Sequence, residues 1–139
     1  MGLFDMFKGS NNEEMTPKLA FAAALLYMMS ADGQIEEEEV GQLISALGGD
    51  RATLDAALKY ARKNPVDAFL PQAAAVLSES QKLCILTNLA DSLLADGNAA
   101  AAEQALFNRF LSGFGIGEEQ FRPYFEVIVV KNDRSVFNR

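Results

Sequence analysis

The chain has 139 residues, 50% apolar and 22% charged, with ten glycines and four prolines, the composition of one globular domain that buries about 68–70% of the surface its unfolded form exposes. Twelve basic against nineteen acidic side chains leave a formal charge of −7, a field that repels phosphate backbones and argues against a nucleic-acid partner. There is no histidine, so the commonest general base and transition-metal ligand are missing, and Ser-His-Asp, Cys-His and His-ligated zinc chemistry go with them.

Residues 1–15 read as a flexible N-terminal segment. Leu3, Phe4 and Phe7 lie in an apolar cluster ahead of the joint Gly9-Ser10-Asn11-Asn12. A frayed or self-packed terminus is the main reading. The lesser one is membrane or partner contact through residues 2–8, which bury too little to anchor alone and carry Met6 where a myristoylation signal wants Ser or Thr. With no signal-type apolar stretch and one cysteine, Cys84, the expected setting is the reducing cytoplasm, at most peripheral to a membrane.

Leu19 to Met29 is an apolar run of eleven residues, against about 20 for a membrane span. Thr16 suits an N-cap and Pro17 the first helical position, which sets a helix over 17–30, apolar on nearly every face and fit for the centre of a bundle. A period of 3.6 then recurs in five stripes: Val40 to Leu47, Leu54 to Ala61, Val66 to Leu77, Leu106 to Phe114, and Phe121, Tyr124, Phe125, Ile128. Ser78 and Gln81 form a capping box for a further helix over 79–95. Gly48-Gly49, Asn64-Pro65, Asp96-Gly97 and Gly113 to Gly117 end helices, while Pro71 and Pro123 are expected to kink or restart theirs. Val127 to Val130 is locally β-prone but continues a helical stripe. The domain thus spans 16–130, and 131–139 is a polar tail. Cys84 falls in an apolar stripe and is expected to be a buried, inert thiol.

The most informative feature is an internal repeat. Ala31-Asp32-Gly33 returns 64 residues on as Ala95-Asp96-Gly97, and Glu39 returns as Glu103. Each unit is a helix, a tight turn and a second helix. Asp, Gly and Glu at these offsets match the second half of an EF-hand loop, but Met28 and Ser30, or Ser92 and Leu94, stand where the opening ligands belong, so a self-contained EF-hand is rejected. What stays open is one shared site in which Asp32, Glu36, Glu39, Asp96 and Glu103 hold a hard divalent cation, Ca²⁺ or Mg²⁺ by their oxygen-only chemistry. The competing explanation is structural: Asp-Gly stops a helix, and a Glu in the next first turn caps it.

Ser30-Ala31-Asp32-Gly33-Gln34-Ile35 with Glu39, and Leu94-Ala95-Asp96-Gly97 with Glu103, resemble the signature of the TerB-like, tellurite-resistance-associated helical domain over residues 16–130. The resemblance implies an all-α single-domain bundle of about seven helices, built from two pseudo-symmetric helical hairpins. It also implies acidic turns on one surface, a link to divalent metal and to membrane-associated stress-response complexes, and no enzymatic activity. Ala99 to Ala102 depart from the pattern, which leaves Asp96 and Glu103 as the second turn's only ligands. Three functions follow in order: a non-enzymatic module whose acidic turns bind a divalent cation or dock a basic protein partner, a carboxylate-dependent hydrolase, and a metal-independent docking scaffold.

Overall fold

A computed structural model describes residues 14–31, 37–95 and 100–138. They form seven α-helices and no strand: α1 (Pro17–Met29), α2 (Glu37–Ala46), α3 (Arg51–Lys63), α4 (Val66–Val76), α5 (Glu79–Ala95), α6 (Ala101–Gly113) and α7 (Glu118–Asn132), with a 3₁₀ turn, Arg134–Asn138, behind them.

The start signals act as the sequence suggests. Thr16 Oγ1 accepts the Leu19 N–H at 3.1 Å ahead of Pro17. Ser78 and Gln81 satisfy each other's backbone N–H, at 3.1 and 2.8 Å. Asp50 caps α3 by accepting from Thr53 N–H at 3.0 Å, a cap that the apolar spacing alone does not announce. At the end of α6, Gly115 takes φ +70°, so that Ile116 N–H reaches Leu111 O at 3.0 Å and Gly115 N–H reaches Ser112 O at 3.1 Å. That pair of bonds is a Schellman stop, and only glycine enters it without strain.

α1 is central, packed against α2, α3, α4, α5 and α6. Its Ala20, Ala22, Ala23 and Ala24 are wholly buried, so small side chains let several helices approach one axis. Phe69 of α4 and Phe110 of α6 are also wholly buried, in an aromatic chain with ring centroids of Tyr27–Phe69 at 5.1 Å, Phe69–Phe110 at 6.1 Å and Phe110–Phe114 at 5.7 Å. No polar or charged side chain is buried among the described residues.

The internal repeat reaches further than a hairpin. α2 begins at 37 and α6 at 101, 64 residues apart like the motifs, and a third helix completes each unit: α1-α2-α3, then α5-α6-α7. In both, the first and third helices run parallel and close. Lys18 Nζ meets Asp50 at 2.5 Å near the starts of α1 and α3, and Tyr27 Oη donates to Asn64 O at 2.6 Å near their ends. In the second unit Gln120 Nε2 meets Glu79 at 2.7 Å at the starts of α5 and α7, and Asn132 Nδ2 meets Asp91 at 2.8 Å at their ends.

Several expectations are corrected. Cys84 is exposed, not buried: α5 buries Ile85, Leu86, Leu89, Ala90 and Leu93, which turns Cys84 outward, where its carbonyl accepts from Asn88 Nδ2 at 2.8 Å. Pro71 and Pro123 lie inside single helices and restart neither. Each stands at the sixth helical position and removes one backbone bond, which flanking packing outweighs. In α7, Phe121 and Ile128 are buried, whereas Tyr124 and Phe125 remain 43% and 39% exposed. The polar tail is a 3₁₀ turn from Arg134. Residues 1–13, including the apolar cluster, lie outside the described residues.

Candidate cation site

The first corner begins where α1 stops. Ser30 N–H donates to Leu26 O at 3.0 Å and Ser30 Oγ to the same carbonyl at 2.9 Å, while Ala31 N–H reaches Met28 O at 3.2 Å. The helix end is thus tied back on itself immediately before Asp32. The second corner begins after Ala95 and ends at Ala100, the N-cap of α6. Ala100 has no side-chain oxygen to offer, so only half of a capping box forms there: Glu103 Oε1 accepts the Ala100 N–H at 3.2 Å.

The two corners approach through their flanks. One open cleft of about 360 Å³ is lined by Tyr27, Ser30 and Ala31 from the end of α1, by Asn64 and Pro65 from the α3–α4 turn, and by Ala102, Ala105 and Arg109 from α6. The residue before Asp32 and the helix that follows Asp96 therefore share a wall. Alanines at 31, 61, 102 and 105 keep that wall thin. Arg109 crosses the rim to form an ion pair with Asp67 at the start of α4. Tyr27 lies deeper. Burial, with the neighbouring Tyr60 second, pushes its hydroxyl up to about 12, so it remains a neutral donor to Asn64 O.

Of the five sequence-selected acids, Asp32, Glu36 and Asp96 lie outside the described residues. Glu39 belongs to the first turn of α2, its side chain outside the description as well. Glu103 is the one whose side chain is described, half-buried and engaged at the N-terminus of α6. Among the described residues no group of three His, Cys, Asp or Glu side chains stands together in a metal-holding arrangement. The Tyr27–Asn64–Arg109 cleft was not foreseen. Asn64-Pro65 reads in sequence only as a helix stop, and nothing local says that α6 would lie across it.

A second groove, about 620 Å³, opens between α6 and α7 over the end of α5, with Leu93, Phe107, Leu111, Phe121 and Phe125 inside it.

With seven helices and two repeated corners in register, residues 18–124 match the family model of the tellurite resistance protein TerB. The chain belongs to the TerB family. The match begins in the first turn of α1 and ends within α7, so both Asp-Gly corners and the cleft between their flanks lie inside the TerB domain. No curated protein and no solved structure matches the chain. No helix among the described residues of this TerB-family chain is long and apolar enough to cross a membrane.

Proposed function

We propose that this TerB-family chain is a non-enzymatic module that binds one hard divalent cation between its two Asp-Gly turns, and that it serves tellurite resistance or a related stress response by presenting that loaded, acidic surface to a protein partner. The observation that carries the reading is the shared cleft: Ser30-Ala31, immediately before Asp32, faces Ala102 and Ala105 on α6, the helix whose first turn holds Glu103. Carboxylates brought close repel one another, and a cation removes the repulsion. Both corners also follow the C-terminal ends of helices, α1 and α5, where the helix dipole favours positive charge. Glu103 spends Oε1 on the Ala100 N–H, which leaves its other oxygen for a metal. An all-oxygen donor set suits Ca²⁺ or Mg²⁺.

Thermal melting of the metal-stripped protein tests this. Ca²⁺ or Mg²⁺ at about 100 times its dissociation constant adds about 2.7 kcal/mol to the folded state and raises the melting temperature of the wild type, but not of Asp32→Ala/Asp96→Ala. Identical melting with and without every cation ends the metal reading. Partner binding that is salt-sensitive and indifferent to chelator then supports a plain docking scaffold.

A further inference from the structure

Among the described residues, every large apolar side chain that stands exposed, Val76 apart, lies between Tyr124 and Phe137. Val127 is 68% exposed, Val130 76% and Phe137 85%. α7 packs chiefly along α5, through Phe121 and Ile128. Helical spacing places Pro123, Val127 and Val130 on the opposite face, which no described element covers. The two ends of this segment differ in charge: α7 opens with Glu118-Glu119 and closes near Lys131, with Arg134 just beyond, while Arg122, Glu126 and Asp133 lie between them. Lys131 is held by Asp91 of the same chain, whereas Arg134 is exposed and in no ion pair among the described residues. Glu119 meets Arg122 at 2.7 Å yet leaves 84% of its side chain exposed.

We infer that this face binds a second copy of the chain, as a two-fold dimer built from antiparallel α7 helices. A parallel pair would set acid on acid and base on base. The antiparallel pair sets Glu119 against the second copy's Arg134, twice, with Val127 close to the two-fold axis and Val130 against the second copy's Pro123. Helix dipoles then oppose favourably, and the contact closes on itself rather than propagating. An anionic bilayer fits less well, because the chain carries −7 overall and Glu119 and Glu126 border the valine row. A helix of 15 residues is only about 22 Å long and about 10 Å wide, so one face offers on the order of 200 Å², short of the ~800 Å² per partner of a standard interface. The dimer is therefore concentration-dependent, and it does not require the cation site.

Sedimentation velocity in the presence of chelator, from about 10 μM to about 1 mM, tests it. The wild type moves from 15.1 kDa toward twice that mass. Val127→Glu/Val130→Glu stays monomeric and melts as the dilute wild type does. Glu119→Lys and Arg134→Glu each weaken association about tenfold, and an equimolar mixture of the two restores it, because the mixed dimer carries two attractive pairs. A single 15.1 kDa species at every concentration overturns the inference. So does association unchanged in Val127→Glu/Val130→Glu, a mixture that fails to recover, or monomer that instead pellets with phosphatidylserine vesicles.

Discussion

Glu103 shows how one side chain can serve two purposes, and how they can be separated. It caps α6 through the Ala100 N–H, a task that glutamine performs as well as glutamate, whereas a cation needs the charge. Glu103→Ala is expected to cost about 0.5–1 kcal/mol in the metal-free protein, and Glu103→Gln almost nothing. Both should lose the cation-induced rise in melting temperature. A Glu103→Gln protein that still responds fully would make Glu103 a cap and nothing more. Tyr27 makes a second residue-scale prediction. Its folded pKa, raised from 10.0 to about 12, favours the neutral phenol, so its contribution is complete below about pH 10 and shrinks as the pH climbs toward 12. Tyr27→Phe should flatten that alkaline decline in urea-unfolding stability and cost about 1 kcal/mol at neutral pH for the lost bond to Asn64 O. Residues of this kind were the least legible in sequence. Cys84 reads as buried in sequence, but Ile85, one position further on, and Leu89, one turn after that, carry the buried face of α5, and a slip of 100° around a helix exchanges inside for outside.

Helices were far more legible than contacts. α1 and α5 announce themselves through local chemistry, since Thr16-Pro17 and Ser78–Gln81 act within one turn and need no tertiary context. The prolines left two outcomes open, a kink or a restart, for the opposite reason. Whether Pro71 ends a helix depends on what surrounds it, and α4 is held on both sides, by α1 and by α6. That α4–α6 contact depends on Gly113: a Cβ there would come within 2.9 Å of Leu70 Cδ1 and 3.0 Å of Leu70 Cβ, too close for either helix to ignore. Gly113→Ala gains about 0.5–1 kcal/mol of helix propensity but is expected to lose more, about 1–3 kcal/mol, to overpacking. A chemical-denaturation midpoint at or above that of the wild type would show that the two helices can separate freely. Gly113 reads in sequence as part of a helix stop, and its packing role follows only from α4 lying across it.

At the scale of the whole molecule the repeat is both the most legible feature and the source of the functional proposal. A spacing of 64 residues, read from two Asp-Gly pairs, extends to whole helices: α2 and α6 start 64 apart, and the parallel pairs α1–α3 and α5–α7 are pinned at corresponding ends by Asp50 and Asn64 in one unit, by Glu79 and Asp91 in the other. The depressed pKa of Asp50 follows from its bonds to Lys18 and Thr53, and that of Asp91 from its bonds to Asn132 and Lys131. Folding therefore gains from ionised carboxylates at these pins, and that gain fades as the pH falls below about 4. What the sequence could not supply was how the two units face each other. The flanks of the two corners meet in one cleft because α1, shared by nearly every other helix, turns its last residues toward α6.

The proposed function requires that the two turns make one site and not two. Calorimetric titration of the metal-stripped protein with Ca²⁺, Mg²⁺ and Mn²⁺, repeated on Asp32→Asn and on Asp96→Asn, tests it most directly. A single shared site gives one ion per chain in the wild type and none in either single variant. Two ions per chain, half of the binding retained in each variant, or no heat of binding in any of the three proteins would contradict it.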